Sequence, residues 1–408
     1  MLKKVLVKQL RMGMYVHELC ASWLDTPLWS TSFMIDSSVS LDKIGASGIA
    51  DAWIDTAKGL DIEGIISPMA QLGAEPYIES TKVAGSYKNT AFVSLEEELG
   101  TAVTLLNQSK MAVCTMFNEA RMGKAVKLER AMPLVEEIAA SIMRNPGAFI
   151  GLVRLKTADD YTYMHSVAVC ALMIVLSRQL DLNEVETREA GLAGLLHDIG
   201  KMAVPSDILN KPGKLSDTEF SAIKQHPAQG HRMLVAAGGV NAIALDVCLH
   251  HHEKIDGTGY PDGLAGDQIG MYARMGAICD VYDAMTSNRP YKRGWCPAES
   301  LQKMAKWSEG HFDPTFFSAF VKCIGIYPVG TLVRLKSGRL GVVVEQQIGK
   351  SLLLPKVRVF FSSKSLTYIT PELINLATPG LKEEIVMRED AEKWGLKDID
   401  RFWHGGDS

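Results

Sequence analysis

The chain has 408 residues, of which 47% are hydrophobic, and it carries a formal net charge of −4. This length predicts two or three domains with buried cores, and the weak negative charge excludes a global basic field for a nucleic-acid polymer. The seven cysteines form no CxxC pair, which argues against a disulfide scaffold and a thiolate zinc site. The first residues lack the apolar region of a signal peptide, and the apolar run 167–176 is about half of what spans a bilayer. We therefore expect a cytoplasmic protein without a membrane span.

Residues 1–65 predict a small α+β module. Strand-like runs stand at 5–7, 14–16, 33–35 and 52–54, and a short helix is predicted near 41–46. Because this module holds no cluster of histidines and acids and no glycine-rich phosphate loop, we expect a regulatory or docking role. Residues 66–93 contain Pro68, Pro76 and a stretch rich in glycine and serine, which together predict a linker.

Residues 94–147 predict a helical connector. Ser94 and Glu97 match a capping box at the start of one helix, and a second helix is predicted over about 125–143. These helices permit a homodimer. A face of the second helix that contacts solvent is the simpler interpretation of its exposed glutamates and lysines, since no heptad pattern persists over three or four repeats.

Residues 148–325 predict an all-α bundle, and residues 326–408 a short β-rich extension. In the bundle, helices are predicted over 161–180, 182–201, 216–226, 227–237, 242–253, 271–287, 297–306 and 314–324. In the extension, strands are predicted over 331–335, 340–344 and 352–361, the first two joined by a hairpin turn. The fold class is therefore multidomain, with a central helical bundle between two smaller parts.

The first candidate for chemistry is the adjacent pair His197 and Asp198. The pair lies in an apolar run with helical spacing, so it should be buried, and burial of both groups is costly unless they are paired or bind a metal. Lys201 follows His197 by one helical turn. A carboxylate, an imidazole and a nearby cation suit metal-assisted attack on a phosphate. Taken alone, one His-Asp dipeptide could instead be a buried pair whose side chains form hydrogen bonds to the backbone.

Further candidate ligands are spread through the same helical region. His165 faces inward by its spacing, His226 precedes Pro227, and His251 and His252 end an apolar helix. Asp280 also lies in apolar surroundings. Each of these alone has a packing interpretation, whereas together they predict a metal centre. Imidazole and carboxylate without thiolate suit iron, manganese, nickel or zinc, and a shared Asp198 would hold two metals about 3.5–4 Å apart.

The segments 197–201 (HDIGK) and 251–261 (HHEKIDGTGYP) resemble the two signatures of the HD-GYP family. This family is a branch of the HD superfamily of metal phosphohydrolases, and it cleaves the bacterial messenger cyclic di-GMP. The match covers roughly residues 150–325, so the resemblance implies an HD-type helical bundle there. The first hundred-odd residues resemble the domain of unknown function that often precedes HD-GYP domains.

The resemblance implies a role for each candidate residue. One metal would be bound by His165, His197, Asp198 and Asp280. The second metal would be bound by Asp198, His226, His251 and His252. Substrate would be contacted by Lys201, which also serves catalysis with Asp198, and by Tyr260, Asp283, Arg289 and Lys292. Tyr161 stands where some members carry a glutamate for a third metal, so we expect a two-metal site.

The implied reaction is hydrolysis of cyclic di-GMP to linear pGpG, and in a second round to GMP. The nucleophile would be a hydroxide bridging two divalent ions, iron or manganese first, with nickel or zinc as alternatives. The loop from Gly257 to Gly263 would contact diguanylate cyclase (GGDEF) domains. Two alternatives stay open: an HD phosphohydrolase of another nucleotide, and a weakly active receptor for cyclic di-GMP or a GGDEF partner. Retention of every ligand argues against the receptor, because buried carboxylates are costly without a function.

Overall fold

The computed structural model describes residues 2–20, 33–35, 51–56, 58–60, 92–126, 128–154, 161–209, 211, 213–287, 294–347 and 351–404. The chain forms two compact units, Met1–Gly85 and Ser86–Ser408. The helix predicted near 41–46 and most of the linker predicted over 66–93 lie outside the described residues. Among the described residues, none of the helices combines the length and the apolar character required to cross a bilayer.

The N-terminal unit contains an antiparallel sheet. Its strands are β1 (Leu2–Leu6), β2 (Tyr15–Cys20), β3 (Phe33–Met34) and β4 (Asp51–Asp55). Their order in the sheet is β1-β4-β2-β3. Alternating apolar side chains such as Val5, Val16 and Ile54 are buried beneath it. Each of the four predicted runs therefore overlaps a strand, although Val7 at the end of the first run begins a 3-10 helix.

The larger unit begins with helices α1 (Leu95–Arg121), α2 (Leu128–Arg144) and α3 (Pro146–Arg154). The capping box at its start is confirmed: the Glu97 amide donates to Ser94 Oγ, and the Ser94 amide donates to Glu97 Oε2. The helices that follow are α4 (Tyr161–Gln179), α5 (Glu184–Leu196), α6 (Ser206–Leu209), α7 (Asp217–Ile223), α8 (His226–Ala237), α9 (Ala242–His250), α10 (Met271–Thr286), α11 (Pro297–Trp307) and α12 (Pro314–Ile324).

An antiparallel sheet and a short helix, α13 (Arg401–His404), complete this unit. The strands are β5 (Leu332–Leu335), β6 (Arg339–Glu345), β7 (Lys356–Ser362), β8 (Thr367–Asn375) and β9 (Ile385–Arg388), in the order β8-β7-β6-β5-β9. The predicted hairpin corresponds to β5 and β6, whereas β8 and β9 were not predicted. The fold class is confirmed: a helical bundle with a β-rich part on the C-terminal side and a small N-terminal module.

One apolar core runs through most of the larger unit. It contains residues of α1 to α5 and the inner side chains of β6 and β7. A second core packs α10, α11 and α12 against α4. Trp403 of α13 is buried against α3, where a Cβ atom on Gly151 would lie 2.5 Å from the indole ring. Arg154 also donates a hydrogen bond of 2.9 Å to Asp400. The domain boundaries predicted at 147 and 325 stay predictions, and the core crosses both.

The helix predicted over 182–201 was wrong at its end. Helix α5 stops at Leu196, the backbone turns at Asp198 (φ −102°, ψ 9°), and a 3-10 helix continues over Ile199–Ala203. The cause is close packing on α8, because a Cβ atom on Gly200 would lie 1.9 Å from the His226 carbonyl oxygen. His197 and Asp198 therefore stand at a junction between two helices, where both side chains project to the same side.

Candidate metal centre

The seven predicted ligands converge at one point of the larger unit. His165 is on α4, His197 and Asp198 follow α5, His226 begins α8, His251 and His252 follow α9, and Asp280 is on α10. All are buried except His252, which is partly exposed. A buried cluster of imidazoles and carboxylates is stable only when its members pair with each other or bind a cation.

Asp198 occupies the middle of this cluster. Its Oδ2 atom lies 3.4 Å from the Nε2 atoms of both His165 and His197. Its Oδ1 atom lies 3.2 Å from Nε2 of His226 and 3.8 Å from Nε2 of His251. Each oxygen of one carboxylate thus faces a pair of imidazoles, which is the arrangement expected of a ligand that bridges two cations.

Two groups of three potential ligands flank Asp198. One group is His165, His197 and Asp280; the other is His226, His251 and His252. Each residue contributes one potential ligand atom, and within each group these three atoms lie within 4.8 Å of one another. Neither group contains a thiolate, and the combination of imidazole and carboxylate suits first-row transition ions.

Backbone hydrogen bonds fix the orientation of three of the imidazoles. The Nδ1 atoms of His197, His226 and His251 lie 2.7, 2.8 and 3.0 Å from the carbonyl oxygens of Gly194, Ile223 and Val247. Because a carbonyl oxygen only accepts, each Nδ1 carries the proton and each Nε2 presents a lone pair to the cluster. Metal-ligating histidines typically hold their other nitrogen in this way.

Several of the inward-facing atoms lack a protein partner. Among the described residues, His197 Nε2 and Asp198 Oδ1 are buried without a hydrogen bond. His226 Nε2 and His251 Nε2 lie 3.3 Å apart, yet both present lone pairs, so neither can donate to the other. A cation among these atoms would satisfy all of them, and the residues present therefore fit a metal centre.

Burial and the neighbouring charges shift the pKa values of several residues in the cluster. Burial lowers the pKa of His165, but hydrogen bonds to Asp198, Asp280 and Asp283 outweigh it and raise that pKa to about 10. Burial raises the pKa of Asp198 and of Asp280, but the neighbouring cations and imidazoles hold both well below the usual value. Burial, with other imidazoles nearby, lowers the pKa of His252 to about 3. His252 is thus neutral at pH 7, as metal ligation requires.

Asp283 contacts a predicted ligand. Its Oδ2 atom lies 2.6 Å from Nδ1 of His165, and its Oδ1 atom accepts a hydrogen bond of 3.1 Å from Ser287 Oγ. His165 Nε2 in turn lies 2.9 Å from Asp280 Oδ1. The resemblance implied that Asp283 contacts substrate, or that it orients a ligand or the nucleophile. The observed contacts form a carboxylate–histidine pair, which orients the imidazole toward a metal.

Lys201 lies at the rim of the cluster, on the 3-10 helix after Asp198. Its Nζ atom donates a hydrogen bond to Asp198 Oδ2, and its side chain keeps 20% of its surface exposed. An ammonium group has three protons, so a contact with Asp198 leaves others for an incoming anion. The position is consistent with the predicted contact to a phosphate oxygen.

The loop from Gly257 to Gly263 borders the cluster and is organised by Glu253, which the sequence analysis did not single out. The buried Glu253 carboxylate accepts hydrogen bonds of 2.7, 3.1 and 3.1 Å from the amides of Asp262, Gly263 and Leu264. The Tyr260–Pro261 peptide bond is cis, and the Tyr260 ring stacks on His252 with a centroid distance of 4.8 Å. The signal for Glu253 was an acid four residues before a glycine-rich loop.

Three sequence predictions fall beyond the part of the chain that the structure describes. Arg289 and Lys292 lie outside the described residues. Tyr161 begins α4, but its side chain also lies outside that part. Their assigned roles, including the expectation of two metals rather than three, stay predictions.

Comparison with known proteins places this geometry in a family. A family model described as HD domain matches residues 133–316, and one described as domain of unknown function (DUF3391) matches residues 2–131. A curated cyclic di-GMP phosphodiesterase of Pseudomonas aeruginosa is 55% identical over 99% of this chain and 96% of its own length.

Two further relatives match part of the chain. The response regulator RpfG of Xanthomonas campestris, a cyclic di-GMP phosphodiesterase, is 40% identical over 52% of this chain and 57% of its own length. A 3′3′-cGAMP-specific phosphodiesterase of Vibrio cholerae is 35% identical over 42% of this chain and 37% of its own length. The two matching family models, the full-length relative and the histidine–aspartate cluster agree, and the chain belongs to the HD-GYP family of HD-domain proteins.

Proposed function

We propose that this chain is a metal-dependent phosphodiesterase that hydrolyses cyclic di-GMP to pGpG, with GMP as the product of a second hydrolysis. The observation that carries this proposal is the buried cluster around Asp198, in which each carboxylate oxygen faces two imidazole nitrogens. The substrate follows from the relative that is 55% identical over nearly the whole chain and bears this activity in its name.

Two ions would be held by the two groups of side chains. His165, His197 and Asp280 hold one, His226, His251 and His252 hold the other, and Asp198 is shared. We favour iron or manganese over nickel or zinc, since the site offers imidazoles and carboxylates without a thiolate. When bound, such a pair supplies the Lewis acidity that activates water and neutralises a phosphate.

The remaining residues bind and orient. Lys201 donates to a non-bridging phosphate oxygen from the rim, where it compensates the negative charge that builds up as the phosphodiester is attacked. Asp283 acts as a positioning residue by fixing the His165 ring. Tyr260 limits the movement of His252 through their stacked rings, and it shapes the edge of the pocket.

Two macromolecular partners are also part of the proposal. The tip of the loop, at Pro261, Asp262 and Gly263, is exposed, which supports contact with a GGDEF domain. A homodimer is supported by α1, whose exposed positions from Gly100 to Thr115 carry uncharged side chains, including Met111 with 71% of its surface exposed. A Met111→Glu variant that keeps the native mass in solution would remove the support for this dimer.

The test is incubation of purified protein with a panel of nucleotides in the presence of iron or manganese. We expect pGpG from cyclic di-GMP and none with Asp198→Ala. Preferential cleavage of 3′3′-cGAMP or of a deoxynucleotide would favour another HD phosphohydrolase. Tight binding of cyclic di-GMP with equal, negligible turnover by the wild type and Asp198→Ala would favour a receptor.

A further inference from the structure

Lys224 lies beside the metal centre, on the segment that leads into His226. It caps the C-terminus of α7, where its amide donates a hydrogen bond of 3.0 Å to the Phe220 carbonyl oxygen. Its Nζ atom lies 4.8 Å from the centre of the Phe220 ring and 5.1 Å from the centre of the Tyr260 ring. Because the Tyr260 ring stacks on His252, this ammonium group stands next to the rim of the ligand cluster.

The charge of Lys224 is balanced differently from that of its neighbours. Lys201 is hydrogen-bonded to Asp198, and Lys211 forms two hydrogen bonds of 2.7 Å to the Glu219 carboxylate. Lys224 has two aromatic rings around its ammonium group, and no carboxylate of the described residues forms an ion pair with it. An aromatic ring contributes no carboxylate to compensate the ammonium charge, and an ammonium group has three protons, so this group can still bind an anion.

Phe220 offers a flat apolar surface at the same place. Its side chain is 46% exposed, and exposed aromatic rings are effective stacking partners for nucleobases. The short helix that carries it is held by a capping box between Ser216 and Glu219, to which the Lys211 contact is added. Lys224 and Phe220 therefore form a platform with a fixed position relative to His226.

A cyclic dinucleotide contains two phosphates and two purines, and one phosphodiester is cleaved at a time. The phosphate under attack occupies the metal cluster and Lys201, so the other half of the molecule must extend beyond them. We propose that Lys224 binds the phosphate that is not being cleaved and that Phe220 stacks on a purine of that half. This inference rests on the proposed function and adds a subsite that selects cyclic dinucleotides over smaller phosphodiesters.

The experiment compares two substrates with Lys224→Met and Phe220→Ala. For cyclic di-GMP, we expect KM to rise about tenfold in Lys224→Met, as for loss of one charge-assisted hydrogen bond. We expect kcat to stay within about twofold of the wild type, since the lost contact stabilises the bound substrate and the transition state equally. For bis(p-nitrophenyl) phosphate, which has one phosphate and no purine, both constants should stay unchanged. Lys224→Arg should keep most of the affinity, and Lys397→Met, at an exposed lysine elsewhere, is the matched control.

The outcomes separate the subsite from the proposed function. An unchanged KM for cyclic di-GMP in Lys224→Met would overturn the subsite. Equal losses on both substrates would also overturn it, because they would report damage to the metal cluster or the fold. A wild-type protein that cleaves bis(p-nitrophenyl) phosphate but not cyclic di-GMP would refute the proposed function itself.

Discussion

Replacement of Glu253 by glutamine tests whether one buried carboxylate organises the loop beside the metal centre. In the native protein both oxygens of Glu253 accept backbone amide hydrogens, from Asp262 and Gly263 on one side and from Leu264 on the other. Glutamine has nearly the same shape, but it has a single acceptor oxygen and no charge. The variant must therefore leave at least one amide without its acceptor and place an NH2 group against it.

The magnitude follows from the number and type of these bonds. A hydrogen bond to a charged group contributes about 1.5–3 kcal/mol, and an unsatisfied donor costs about 1–3 kcal/mol. We expect the free energy of unfolding of Glu253→Gln to fall by about 2–4 kcal/mol, since the two remaining bonds also lose their charge assistance. Because Tyr260 lies in the same loop and contacts His252, kcat/KM for cyclic di-GMP should fall as well.

The assay is urea unfolding of the metal-free protein, followed by the cyclic di-GMP assay with metal. The matched control is Glu299→Gln, which removes a surface pair with Lys303 of 3.5 Å and should change the free energy of unfolding by less than about 0.5 kcal/mol. If Glu253→Gln unfolds at the same urea concentration as the wild type and keeps its activity, the loop does not depend on this carboxylate and the reasoning fails.

Three further predictions concern the ligands and the core. Asp283→Asn should weaken metal binding about 10–100-fold through the loss of the His165 partner, measured by metal titration; activity that cannot be restored by excess metal would contradict a positioning role. Trp403→Ala should lower the free energy of unfolding by about 3–5 kcal/mol, while the metal content stays the same. A change below about 1 kcal/mol in urea unfolding would refute the argument that Trp403 stabilises the core by packing. Folding raises the pKa of His165 from 6.5 to about 10, so its proton stabilises the metal-free protein fully below pH 6.5 and ceases to do so as the pH rises through 10. Metal must displace that proton at pH 7, so calorimetry in buffers of different ionisation enthalpy should detect its release, and the same binding heat in every buffer would contradict this.

The ligands could be predicted from the sequence because each stands at a position with a local signal. His165 follows helical spacing, and His226 precedes a proline at the start of a helix, so both side chains could be directed inward before any fold was known. The end of α5 could not be predicted, because it depends on the close approach of Gly200 to the His226 carbonyl oxygen. Such a contact joins two segments that are distant in sequence.

Other features escaped prediction for related reasons. Spacing on α10 places Asp283 one turn after Asp280, but its contact with His165 depends on how α4 and α10 pack. Strand β8 is exposed at most positions and contains Pro371, so it shows little of the alternation that marks a half-buried strand. Glu253 gained its role only when the loop folded back over its carboxylate.

The most direct test of the central claim is a count of transition ions per chain. Mass spectrometry of metals should be performed on the wild type, His165→Gln and His252→Gln, alongside cyclic di-GMP turnover of the same samples. The proposed cluster predicts two ions in the wild type, one in each variant, and loss of turnover in both. A wild-type protein with one ion or none that hydrolyses cyclic di-GMP at its full rate would contradict a cluster in which Asp198 joins two ions.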